Sequence, residues 1–190
     1  MSPLKTLIFL GRPGCGKGTQ ASRLLQTLPG FSEFSMGDRF RSIAKQDTFL
    51  GRKVSDTINA GLLTPHWFAA YLFEDHILEL DPEVGVIYEG VARRPQEASD
   101  LHQVMEWLNR PYKVIHLDVP EEVIIDRLQE RGRSDDKHKS IEVRLEEYKA
   151  HTEGSLAFFR EQGVVIEING NQTPDEVHEE IVLKLGEVMK

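Results

Sequence analysis

The stretch Gly11-Arg12-Pro13-Gly14-Cys15-Gly16-Lys17-Gly18-Thr19-Gln20 constrains this chain most. It follows the short apolar run 7–10 and opens into residues 21–28, which lack Gly and Pro and carry Leu24, Leu25 and Leu28 at helical spacing. Strand, glycine loop and helix in that order form the context of a phosphate-binding loop. Glycines let the backbone curl so that N–H groups point inward at an anion, and the helix N-terminus adds partial positive charge. Lys17 is placed to reach the β- and γ-phosphates of a nucleotide. The hydroxyl that usually follows the lysine and holds Mg²⁺ is displaced by Gly18 to Thr19, so no direct protein ligand to the metal is expected.

The rest of the chain supports one α/β domain. Five apolar runs, 6–10, 31–35, 84–89, 113–118 and 164–168, alternate with helical patterns. That alternation predicts a five-stranded parallel sheet with helices on both faces, a three-layer P-loop NTPase fold. A ligand then belongs at the carboxyl ends of the strands. Between the second and third strands lie three helical stretches, 36–46, 51–60 and 66–80. The first two form a small helical insert, 36–64, on a core of 1–35 and 65–190. The last helix, 174–189, starts with a capping box of Thr173 and Glu176 around Pro174.

Charge narrows the function. The net charge of −8 argues against a general nucleic-acid binder, which needs a basic face. A nucleotide site on such a protein must be an island of arginines. Candidates fall at Arg41, Arg93, Arg127, Arg131, Arg133 and Arg144, with Arg94 beside Arg93 as a second choice. Arg144 is read as opening a helix toward Phe159. The single Cys15 excludes an internal disulfide and suits a reducing cytoplasm, with the thiol as loop filler. No apolar run approaches membrane-spanning length. The histidines show no metal-ligand spacing. His116 is read as a core or strand-end residue, and Trp67 and Trp107 as core.

Gly11-x-Pro13-Gly14-x-Gly16-Lys17-Gly18-Thr19-Gln20, Gly37-Asp38-x-x-Arg41, and Arg131-Gly132-Arg133-Ser134-Asp135-Asp136 followed by Arg144-Leu145-x-x-Tyr148 together resemble the adenylate kinases and related nucleoside monophosphate kinases. The resemblance spans nearly the whole chain. It implies a cytoplasmic monomer that transfers a phosphoryl group from Mg·ATP to AMP, giving two ADP. By resemblance, Gly14, Cys15, Gly16, Lys17, Gly18, Thr19, Arg127 and Arg131 bind ATP. Met36, Arg41, Thr64, Gly90, Arg93, Gln96, Arg133 and Arg144 bind the monophosphate, with Gln96 reading adenine. Lys17, Arg93, Arg127, Arg133 and Arg144 surround the transferring group. Glu89 sits near Mg²⁺ through water. The lid, 132–138, is very short, Asp135 and Asp136 cap the helix after it, and the proline usual before the strand-end arginine is Ala92 here. Two rivals stay open: a kinase for CMP, UMP or GMP, and a nucleotide-binding regulatory module.

Overall fold

A computed structural model describes residues 4–131 and 138–188. Five strands, β1 (Thr6–Gly11), β2 (Phe31–Ser35), β3 (Gly85–Glu89), β4 (Tyr112–Asp118) and β5 (Val165–Asn169), form one sheet in the order β2-β3-β1-β4-β5. Every pairing is parallel, with Ile8 opposite both Tyr88 and Val114. Parallel strands need crossovers, and eight of the nine α-helices among the described residues lie in them, the ninth following β5.

Alternation along β1 sorts the two faces. Ile8 and Leu10 join Val86, Tyr88 and Val114 in one core, under α4 (His66–Glu79), α5 (Pro95–Trp107) and α8 (Glu153–Glu161). Leu7 and Phe9 join Ile87, Ile115 and Leu117 in the other, under α1 (Lys17–Thr27), α6 (Glu121–Arg131), α7 (His138–Glu147) and α9 (Pro174–Val188). Both faces are covered, which is why the central strand β1 is a continuous buried apolar run, while the edge strands β2 and β5 carry polar, more exposed positions. Each fully buried aliphatic side chain contributes roughly 1.5–3 kcal/mol of transfer free energy.

The insert consists of α2 (Met36–Ala44) and α3 (Phe49–Asn59), and its Met36, Ile43 and Val54 share the first core. Ser35 caps α2 and Thr48 caps α3, each through a side-chain oxygen that accepts a first-turn N–H. The Thr48 cap starts α3 two residues before the expected Gly51. Gly51 instead lies against the carbonyls of Ile43 and Gln46, where a side chain would collide.

At the last helix Thr173 N–H donates to Glu176 Oε2 at 2.9 Å and Glu176 N–H to Thr173 Oγ1 at 3.3 Å. Val177, Ile181 and Leu185 form its buried stripe. Thr173→Ala is expected to lower the melting temperature by about 2–4 °C, measured by circular dichroism, because one cap is lost. An unchanged melting temperature would mean that the cap does not hold α9.

Two expectations need correction. Trp67 and Trp107 are 63% and 75% exposed, not core. The inward faces of their helices are filled by Phe68, Leu72, Phe73 and Ile77 and by Ala98, Leu101 and Met105. Arg144 lies in the last turn of α7 and opens no helix; a π-helical turn, Tyr148–Thr152, then joins α7 to α8. Of the lid, residues 132–137 lie outside the described part, and with them Arg133, Asp135 and Asp136.

Candidate active site

At the carboxyl ends of β1, β2 and β3 the structure opens a cleft. Its walls come from the glycine loop, the insert, the turn after β3, and α7 with its π-helical turn.

The glycine loop is wedged against β4. Gly11 has φ +146°, and a Cβ there would stand 2.6 Å from the Leu117 carbonyl oxygen, so only glycine fits. Gly16 caps α1 in a left-handed conformation and brings no side-chain acceptor, leaving the first-turn N–H groups for an anion. Lys17 is 7% exposed, lines the cleft, and donates to the carbonyls of Gly11 and Arg12 at 2.9 and 2.8 Å. Its ammonium thus sits at the centre of the loop. Cys15 is buried, with its Sγ 3.5 Å from that ammonium, as filler.

Arginines reach the cleft from three further elements. Arg41, on α2, is braced by Asp38, whose Oδ1 accepts from Nη2 at 2.7 Å. Arg93 follows β3. Gly90, at φ +79°, leaves room for it: a Cβ there would lie 3.0 Å from Arg93 Nη2. Arg144 enters from α7. Arg94 is not part of the lining. It faces Glu97 and Glu147 at 3.9 and 4.0 Å, so Arg93 is the cation of this pair that meets the cleft.

Met36, Thr64 and Gly90 line the cleft. Gln96 does not; it is exposed on α5 and donates to Asp100 Oδ1 at 2.8 Å. Its neighbour Glu97 takes the inward position instead. Thr19 is exposed, and neither Gly14, Cys15 and Gly16 of the loop nor Gly18 in the first turn of α1 is part of the lining. Arg127 is also outside, because its guanidinium donates to the Gly170 carbonyl past the end of β5, at 3.3 and 3.4 Å. Arg131 ends α6, with its side chain beyond the described part.

Acidic groups gather at the ends of β2 and β3. Glu89 lies beside α1, since a Cβ on Gly18 would be 3.4 Å from its Oε2, and it accepts from Ser35 Oγ at 3.3 Å. Partial burial, then the charges of Glu89 and Asp38, hold the Glu33 carboxyl above its ordinary pKa. Among the described residues no cluster of three or more His, Cys, Asp or Glu could hold a metal by itself.

Glu97, Glu147 and Tyr148 are lining residues that the sequence reading missed. Burial pushes the Tyr148 hydroxyl up to about 12, and the Arg12 guanidinium lies 5.2 Å from its ring centroid. Glu147 accepts from the Leu63 N–H at 3.3 Å, and Gly61 packs on the Ser140 carbonyl, so the end of the insert rests on α7. Glu97 had a legible signal: it is the third helical residue after a Pro start, the place of a capping-box acid. Its Oε2 accepts the Arg93 N–H at 2.8 Å.

Burial raises the Glu97 carboxyl above 4.5, against the N–H groups of Arg93 and Arg94. The ionised form therefore costs stability in the fold. That cost is full above the raised pKa, and it is absent below the unfolded value. Glu97→Gln should melt higher than the parent at about pH 7, and the gain should close as the pH falls to about 4. Thermal melts at both pH values test this; an equal gain at both would contradict it.

No helix among the described residues is long and apolar enough to cross a membrane. Comparison with known proteins agrees with the geometry. Residues 9–164 match the family model described as adenylate kinase. Adenylate kinase 1 of Synechocystis sp. is 37% identical over 178 residues, 93% of this chain and 95% of the relative. Adenylate kinase of Thermus thermophilus is 37% identical over 187 residues, covering 96% and 97%. Adenylate kinase of Prochlorococcus marinus is 34% identical over 183 residues, covering 96% and 99%. A glycine loop, a strand-end arginine and an arginine-bearing insert around one cleft, matched over nearly the full length, place the chain in the adenylate kinase family of phosphotransferases.

Proposed function

We propose that this chain catalyses Mg·ATP + AMP ⇌ 2 ADP, as a monomer in the cytoplasm. The observation that carries the reading is the convergence of Lys17, Arg41, Arg93 and Arg144, from four separate elements, on one cleft of a protein with net charge −8. A binder of one nucleotide needs fewer cations. Phosphoryl transfer needs both phosphates held in line, with positive charge spread over the equatorial oxygens. Lys17 takes the donor's β- and γ-phosphates. Arg41 and Arg93 take the acceptor phosphate, and Arg144 meets the group between them. Arg127 and Arg133 stay in the proposed donor set, Arg127 by exchanging the Gly170 carbonyl for phosphate.

Mg²⁺ fits this site as a companion of ATP. Glu89 and Ser35 supply oxygen donors beside α1, suited to a cation that keeps most of its waters. When bound, the ion neutralises charge on the β- and γ-phosphates. The insert, 36–64, and the short lid, 132–138, act as the closing parts that exclude water.

Adenine is the base proposed for the acceptor. Glu97 in place of Gln96 at the cleft is the one observation that favours a second base, because a carboxylate accepts hydrogen bonds and guanine offers N1–H and N2–H donors. ADP formation from Mg·ATP with AMP, CMP, UMP and GMP in parallel tests the assignment. Turnover with AMP alone supports it; faster turnover with GMP would make Glu97 a guanine reader.

A further inference from the structure

The turn from β3 into α5 has no proline to set it, and Ala92 adopts φ +52°, a left-handed conformation that alanine disfavours. Such a conformation persists only when its surroundings hold it. Here one short stretch of the opposite helix does so. Ser155 Oγ donates to the Ala92 carbonyl and lies 3.4 Å from that of Arg94. Thr152 Oγ1 donates to the Arg93 carbonyl at 3.1 Å. Gly154 lets Pro95 approach, since a Cβ there would be 3.1 Å from Pro95 Cγ. Ser155 and Thr152 are 0% and 4% exposed. The π-helical turn that ends at Thr152 follows directly on α7, which carries Arg144. One continuous helical segment therefore grips the main chain of Arg93 and presents Arg144 to the same cleft.

We propose that Thr152 and Ser155 are positioning residues for phosphoryl transfer: their hydroxyls fix the Arg93 turn and set its place relative to Arg144. The proposal rests on the roles given above to Arg93 and Arg144. Ser155 is not part of the cleft lining, and Thr152 borders the cleft with its hydroxyl turned to the Arg93 carbonyl. They act through the direction in which the Arg93 guanidinium leaves the turn, and small misplacements of such a group cost rate.

The test uses Thr152→Val, Ser155→Ala and Thr152→Ser, each alone and combined with Arg93→Ala. KM for AMP, KM for ATP, kcat and melting temperature are read for each. Thr152→Val and Ser155→Ala should each lower kcat/KM for AMP on the order of tenfold, with KM for ATP within about twofold of the parent. Thr152→Ser, which keeps the hydroxyl, should retain the parent's kinetics. In the Arg93→Ala background the same changes should cost less than about twofold, because the group they position is gone. Full additivity, equal rises in both KM values, or melting changes without kinetic ones would overturn the proposal. Should Ser155→Ala fail to fold, the Thr152→Val and Thr152→Ser pair decides alone. If Arg93→Ala is costly and the hydroxyl variants are not, only the positioning role falls. If Arg93→Ala itself leaves AMP kinetics intact, the role of Arg93 falls as well.

Discussion

Arg93→Ala is expected to lower kcat/KM for AMP by about a hundred- to a thousandfold, the typical loss when one preorganised donor to a developing charge is removed. KM for ATP should move little, because Lys17 and the loop hold the donor. The neighbouring Arg94→Ala should cost less than about tenfold. The difference follows from where the two side chains go. Arg93 passes over Gly90 into the cleft, while Arg94 is turned toward Glu97 and Glu147. Steady-state kinetics on both variants, with AMP and ATP varied separately, check this. Equal losses would mean that the two arginines share the phosphate.

Lys17→Met should lower kcat on the order of a thousandfold while leaving the fold intact. Among the described residues the ammonium is the one lysine charge in the cleft lining, and methionine preserves the bulk of its stem. The carbonyls of Gly11 and Arg12 lose their donor, which costs about 1–3 kcal/mol at most. A melting curve beside the kinetic assay separates loss of chemistry from loss of structure. Retained turnover in a folded Lys17→Met protein would remove the lysine from the mechanism.

Much of the architecture was legible because its causes are local. A parallel sheet covered on both faces favours short apolar runs at its centre, as in β1 and β3, and all five strands appeared close to the expected positions. The capping box at Thr173 and the glycine loop after β1 are likewise set by a few adjacent residues. The cleft lining was legible where a motif fixes the direction of a side chain, as at Lys17, Arg41 and Arg93. It was not legible where helical phase decides. Gln96 and Glu97 differ by one residue, about a hundred degrees around α5, and the Pro95 start turns Glu97 inward. The Gly170 carbonyl that takes the Arg127 guanidinium lies far along the chain, and no local motif announces it. The π-helical turn was hidden for the same reason. Nothing in residues 148–152 announces a wider turn, and only the packing of Thr152 and Ser155 on a distant turn gives it a purpose.

The measurement that bears most directly on the central claim follows the γ-phosphoryl group itself. ATP labelled at the γ-phosphate is incubated with Mg²⁺ and AMP, and the products are separated. The account predicts that the label appears as the β-phosphate of ADP made from AMP, with little inorganic phosphate. Label that stays in ATP, or that is released to water whether or not AMP is present, would contradict it.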